Sequence, residues 1–322
     1  MPGIARTLAF AGRALKSYMT QRPLCVSFEV THNCNARCKH CHLGPPRPEN
    51  LASAERYGEL CRELKPVVAQ VSGGEPLLRD DLEAIVAALV RKNRPPHVVL
   101  TTNGALLTKE RHQRLRDAGV CDFSLSFDYP DERHDDFRRI PGLFGRIDTL
   151  MRGLGANGNH HGVTLACVVQ SGNFRELPAI AKKALEWKAG VNFSAYTWLR
   201  TGDRGMLVPK EELDELRDVI AQLKEHKRRY GNVFTSDYVL ARMPEYFERA
   251  GFPGCRAGER FLVVNPDGTL SPCGLIMRDC RTRAELVRTF TRTNDCESCY
   301  TSLRANTEKP ASWLVRDTLN RL

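Results

Sequence analysis

Cys34, Cys38 and Cys41 place three thiols on one short stretch, separated by three and then two residues. Soft sulfur ligands at this spacing suit zinc or iron better than hard cations. Three such ligands on a four-iron cubane leave one iron open to bind another molecule. A zinc site completed by His32, His40 or His42 uses the same stretch, and the spacing alone does not choose. Cys255, Cys273, Cys296 and Cys299 form a second set, with Cys280 between its members as a competing ligand. Four thiolates can close every iron of a [4Fe-4S] cluster, or one structural zinc.

The 12 cysteines are unevenly spaced in a chain that carries no secretory signal, because Arg6, Arg13 and Lys16 interrupt the apolar N-terminal stretch. No run approaches the roughly 18 apolar residues of a membrane span. A cytoplasmic protein is expected, and metal binding explains the cysteines better than disulfides. Cys25, Cys61, Cys121 and Cys167 lie in strand or helix contexts and read as small buried hydrophobes. His160 and His161 fall in a Gly/Asn-rich loop that reads as solvent-facing.

Other polar motifs accompany the first cysteines. Gly73 and Gly74 permit close approach of the backbone to a ligand, and Glu75, before Pro76, can accept hydrogen bonds from an ammonium group. Thr102 and Asn103 end a strand and offer polar groups to its rim, although Asn-Gly is also an ordinary turn. Ser126 and Asp128 alternate along a strand and so share a side, suiting ribose hydroxyls. In the stretch His134–Gly142, Arg138 and Arg139 could meet a carboxylate or phosphate, or form an exposed basic loop.

These residues need a scaffold. Strands are expected at Cys25–Val30, Val67–Ser72, His97–Thr102, Asp122–Phe127, Val163–Val169 and Val191–Trp198. Helical stretches fall near 53–65, 80–92, 108–118, 143–155, 174–189 and 210–229, with Asp80 and Thr108 as candidate N-caps. Apolar strands alternating with amphipathic helices imply a parallel sheet covered on both faces. Either a partial barrel or a doubly wound sheet collects chemistry at the strands' C-terminal ends, where the first cysteine loop, Gly73–Pro76, Thr102–Asn103 and Ser126–Asp128 fall. Beyond about residue 235 helical periodicity fades, and 261–271 reads as a hairpin turning at Asn265–Gly268. The domains expected are an amphipathic helix (1–21), a barrel (22–235) and a cysteine-bearing module (236–322) ending in a short helix.

The C-x3-C-x2-C loop with these motifs resembles the activating region of the radical S-adenosylmethionine (SAM) superfamily, from about residue 22 to 200. The resemblance implies a partial (β/α)6 barrel whose Cys34, Cys38 and Cys41 hold a [4Fe-4S] cluster that cleaves SAM to a 5′-deoxyadenosyl radical, which takes a hydrogen atom from the substrate. It implies SAM contacts at His40 (through its backbone, to adenine), Gly73, Gly74, Glu75, Pro76, Thr102, Asn103, Ser126 and Asp128. The tail resembles the shorter twitch form of the SPASM extension, which implies a second, auxiliary [4Fe-4S] cluster on Cys255, Cys273, Cys296 and Cys299 with an electron-transfer role. A flavodoxin- or ferredoxin-type electron donor is then expected.

For the substrate, a small metabolite (a sugar, aminocyclitol or lipid-like molecule) stands first, since no segment before the barrel is large enough to bind a leader peptide. Crosslinking, oxidation or epimerisation of a ribosomally made peptide is the alternative. A non-catalytic iron–sulfur or zinc module is a third reading. Asp203 and Asp237 are acid–base candidates that spacing does not select. The formal charge of +10 is spread along the chain, so a solvated basic surface is expected rather than a nucleic-acid site. The basic amphipathic N-terminus could rest on an anionic membrane, but packing on the barrel is the simpler expectation.

Overall fold

The computed structural model describes residues 2–41, 43, 46–90, 95–155 and 162–319, the side chains of 2–9 and 318–319 excepted. His42, His160 and His161 lie outside the described residues. Six parallel strands, β1 (Cys25–Thr31), β2 (Val68–Gly73), β3 (His97–Thr102), β4 (Asp122–Ser126), β5 (Val163–Val169) and β6 (Gly190–Ala195), lie side by side in chain order. The connecting helices are α2 (Ala54–Leu64), α3 (Leu82–Val90), α4 (Lys109–Ala118), α5 (Arg133–Arg138), α6 (Leu143–Gly155) and α7 (Leu177–Glu186), preceded by α1 (Pro2–Met19). This is the α/β architecture expected, with strand positions matching within a few residues.

One expectation needs narrowing: β1 is buried on both faces, but β2, β3 and β4 are not. Val98 and Leu100 on β3, Phe123 and Leu125 on β4, and Ala69 and Val71 on β2 are buried on the helix side. Their neighbours Gln70, Ser72, Thr101, Ser124 and Ser126 are only half-buried on the other side. Alternation of this kind gives an apolar outer face and a polar inner face, as in a partial barrel with a lined interior. Full burial of each outer Leu or Phe contributes about 1.5–3 kcal/mol, which fixes the register.

The N-cap at Thr108 is present, its hydroxyl accepting from Arg111 N at 3.1 Å. Asp80 is not a cap, because α3 begins at Leu82; its neighbour Asp81 instead pairs with Arg79 at 2.7 Å. The fading of helical periodicity after 235 was also misleading. After α8 (Leu213–Tyr230), Asp237–Arg249 forms α9 with Pro244 inside it. The hairpin is as expected: β7 (Phe261–Val264) and β8 (Leu270–Ser271) are joined by a turn in which Gly268 N donates to Asn265 O at 2.9 Å. Three short helices follow, α10 (Arg283–Thr289), α11 (Ser302–Thr307) and α12 (Ala311–Leu319).

β7 does not stand apart from the barrel. It pairs in parallel with β1, from Cys25 opposite Phe261 to Phe28 opposite Val264, so one sheet of eight strands runs β6-β5-β4-β3-β2-β1-β7-β8. α1 packs beside α12. The Arg13 guanidinium donates to Pro66 O and Pro95 O, just before β2 and β3, and therefore at the end of the sheet opposite the Cys34 loop. Among the described residues no helix is long and apolar enough to cross a membrane.

At that same end His97 Nε2 lies 2.8 Å from Asp122 Oδ2. Burial is the largest single influence and pushes the imidazole down, but the hydrogen bonds and charges of Asp122 and Cys121 together outweigh it and hold the pKa up at about 9. A group raised on folding contributes stability that is complete below its unfolded pKa, about 6.5, and is lost as pH rises through the folded value. The Tm difference between the native chain and Asp122→Asn should therefore be largest below about pH 6.5 and shrink as pH passes about 9. A difference that grows with pH would contradict the pairing.

Candidate active site

The loop after β1 is clamped from three directions. Gly74 N donates to Thr31 O at 2.7 Å and Glu75 N to Asn33 O at 2.9 Å, tying it to the end of β2. From the far side, Glu49 accepts from His32 N at 2.7 Å and from the Thr31 hydroxyl at 2.5 Å. The third clamp is α5. Its last carbonyls, which a helix cannot satisfy internally, accept from the cysteine loop: Lys39 N to Phe137 O at 3.0 Å and Arg37 N to Arg138 O at 3.4 Å. His40 then stacks on Phe137, with ring centroids 5.0 Å apart and planes 8° from parallel.

Gly73 and Gly74 make a close backbone contact of their own. A Cβ on Gly73, whose φ is +132°, would lie 2.1 Å from Thr31 O, and one on Gly74 would lie 2.1 Å from Asn33 O. The glycines let backbone meet backbone next to Cys34. Glu75 is fully buried, and its carboxylate already accepts from Thr102 Oγ1 at 2.7 Å, Asn103 N at 2.8 Å and Leu77 N at 3.1 Å. Burial raises its pKa despite these donors. Thr102 is buried against Glu75 and does not face the rim. Asn103 does: its amide donates to Asn35 Oδ1 at 2.7 Å and lies 4.0 Å from Cys34 Sγ.

Asp128 departs most from expectation. It is fully buried, and its carboxylate accepts from Arg138 at 2.6 and 2.8 Å and from Val168 N at 3.0 Å. Arg138 is buried in α5, not in an exposed loop, and its Nη1 lies 3.7 Å from Cys38 Sγ. Asp128 thus orients a cation under a cysteine. Ser126, half-buried on the inner face, is the member of that pair left facing the barrel interior. Each of the three sulfurs has a nitrogen donor near it: Ala36 N and Asn103 at Cys34, Arg138 at Cys38, and Arg200 Nη1 at 3.9 Å from Cys41.

The second cysteine set meets in one place. Cys255, Cys273, Cys296 and Cys299 together line a cavity of about 180 Å³, walled on the barrel side by Ser27 and Glu29 of β1 and Gln70 and Ser72 of β2. Cys280 does not line it; its sulfur lies 3.9 Å from Thr289 Oγ1, and its backbone pairs with Leu270. Arg304, almost completely buried, donates to Cys299 O at 3.0 Å and to Phe252 O and Pro253 O, and pairs with Glu308 at 2.9 Å. Asp203 and Asp237 stay outside this wall, Asp203 capping Gly205 N and Asp237 pairing with Lys227. The carboxylate inside is Glu29, 3.0 Å from His32 Nε2. A carboxylate in the middle of a strand is easily read as solvent-facing, and only the inward alternation of β1 could have revealed it.

The donor sets suit iron–sulfur clusters. Burial pushes the Cys34 thiol up to about 11, Cys255 to about 11 and Cys273 to about 12. Such thiols become thiolates when a metal supplies positive charge. Among the described residues no three His, Cys, Asp or Glu side chains converge on a point small enough for a single ion.

A polar-lined partial barrel with a three-cysteine loop after its first strand defines an iron–sulfur enzyme of the α/β class. Residues 28–184 form a radical SAM domain, matching the model described as Radical SAM superfamily, and enzymes of this superfamily use a [4Fe-4S] cluster and SAM. The AdoMet-dependent heme synthase of Nitratidesulfovibrio vulgaris is 25% identical over 285 residues, 80% of this chain and 76% of that protein. PqqA peptide cyclase of Granulibacter bethesdensis is 28% identical over 269 residues, covering 78% and 67%. Streptococcus suis SuiB, solved with its precursor peptide SuiA, shares the fold with a TM-score of 0.63 over 92% of this chain and 67% of that one, at 17% identity.

Three substitutions, in two experiments, test this arrangement. Arg138→Met leaves Asp128 buried and unpaired, which should cost about 3–5 kcal/mol in denaturant unfolding, and adding Asp128→Asn should recover much of the loss. Additive losses would show the pair to be uncoupled. Gly74→Ala forces Asn33 aside and should cost about 1–3 kcal/mol while lowering iron bound per chain after anaerobic reconstitution. Unchanged stability and iron would remove the backbone contact as a constraint.

Proposed function

We propose that this enzyme holds its SAM-cleaving [4Fe-4S] cluster on Cys34, Cys38 and Cys41 and an auxiliary [4Fe-4S] cluster on Cys255, Cys273, Cys296 and Cys299, and that it modifies a ribosomally made peptide. The observation carrying the two-cluster reading is the convergence of all four tail cysteines on one cavity that opens onto the inner face of β1 and β2. When bound, the first cluster and SAM supply a 5′-deoxyadenosyl radical for hydrogen abstraction, and the second serves electron transfer.

The chain's own residues arrange the site. Asn103 and Ser126 present polar groups where the strands end and the His40 backbone is taken to meet adenine, while Gly73, Gly74, Glu75, Pro76, Thr102 and Asp128 hold that rim in shape. Glu29 and His32, buried as a pair near the cavity, are positioned to hold or accept a proton from substrate. The peptide reading is supported by the similarity to PqqA peptide cyclase and the shared fold with peptide-bound SuiB. The small-metabolite expectation has weaker support from these comparisons.

Anaerobically reconstituted protein should show two [4Fe-4S] clusters per chain by Mössbauer spectroscopy. Cys34→Ala should abolish 5′-deoxyadenosine release from SAM and reductant. Cys299→Ala should remove one cluster yet retain SAM cleavage. Incubation with a precursor peptide encoded beside the gene should change that peptide's mass. A product formed only from a small metabolite or an iron porphyrin would overturn the peptide assignment, and a single cluster in the native chain would overturn the auxiliary site.

A further inference from the structure

We infer that Arg200 is a positioning residue shared by both cysteine sets, whose one positive charge sets the reduction potentials of the two clusters together. The inference rests on the two-cluster reading above.

Arg200 follows β6 and reaches across the mouth of the barrel. Its Nη1 lies 3.9 Å from Cys41 Sγ, and its Nη2 donates to Gly274 O at 2.6 Å. Gly274 directly follows Cys273, so one guanidinium touches a ligand of the first set and the peptide beside a ligand of the second. The same side chain lines the cavity of the four tail cysteines. Gly274 makes room for Glu29 beside this contact: a Cβ there would lie 2.4 Å from Glu29 Oε1, while Arg200 Nη2 at 3.4 Å would be in ordinary contact.

Charge distinguishes Arg200 from the other arginines near the cysteines. Arg138 is neutralised by Asp128 and Arg304 by Glu308. Among the described residues Arg200 forms no ion pair with a carboxylate within 4.0 Å. Its natural counter-charge is the negative charge that thiolate-ligated clusters carry. Net charge and hydrogen bonds to the sulfurs are the principal controls on cluster potential, and a nearby cation favours the reduced form. A planar guanidinium can point two N–H groups in separate directions, which an ammonium on the same stem does less well.

The test is redox titration of the reconstituted two-cluster protein, followed by EPR, for the native chain, Arg200→Gln and Arg200→Lys. Gln preserves a donor but removes the charge. The expected result is full iron content in both variants, a downward shift of both midpoint potentials in Arg200→Gln, and a smaller shift in Arg200→Lys. Loss of iron in both variants, or a shift confined to one cluster or absent, would overturn the shared role. A native chain that binds only one cluster would instead refute the two-cluster reading, and Mössbauer quantification before titration separates that failure from this one.

Discussion

The pairing of β1 with β7 is the constraint on which both centres depend. β1 is an inner strand only because β7 covers the edge that a six-stranded sheet would leave open. One end of β1 runs directly into the Cys34 loop, and its inward side chains, Ser27 and Glu29, wall the cavity of the tail cysteines. The parallel register from Cys25–Phe261 to Phe28–Val264 fixes how the hairpin, and Cys273 after it, stands against that wall. A slip of one residue would turn the buried Phe261 and Val263 to the other face. The register is therefore held by the same apolar side chains that place the second set of ligands.

Buried cations recur around the cysteines, and they differ in what balances them. Arg138 and Arg304 each carry a carboxylate partner, and each spends its remaining donors on the loop it supports. Arg304 holds three carbonyls, of Phe252, Pro253 and Cys299, so it ties the chain before Cys255 to the chain at Cys299. Glu308 extends this brace by accepting from Arg256 N at 2.6 Å, immediately after Cys255. Paired buried ions of this kind define geometry more than they add net stability.

Much of the scaffold was legible in sequence because it is local. β3 and β5 begin and end where expected, and the turn at Asn265–Gly268 follows from its residue types. The inner face was less legible, since short strands such as Asp122–Ser126 mix apolar and polar residues whether one face or both are covered. Spacing located the four tail cysteines but not the exclusion of Cys280, which depends on its antiparallel contact with Leu270. The roles of Glu75 and Asp128 were obscured for a related reason. A carboxylate at a strand end looks like a ligand for a substrate, and only its distant partners Asn103 and Arg138 show that it braces the protein. Arg200 carried no local signal and Glu29 only the alternation of β1, because each acquires its meaning from residues far away in the chain.

The cysteines themselves link folding to loading. Burial raises the thiols of Cys34, Cys38, Cys255, Cys273 and Cys299, so the polypeptide can close both pockets without gathering those thiolates in a low-dielectric space. A metal reverses that preference, since its charge releases the thiol protons as it binds. The negative charge so created then meets cations already in place at Cys38, at Cys41 and beside Cys299. Placing those arginines in advance reduces the reorganisation that cluster insertion would otherwise demand, and the charges of two of them are balanced by their own carboxylates.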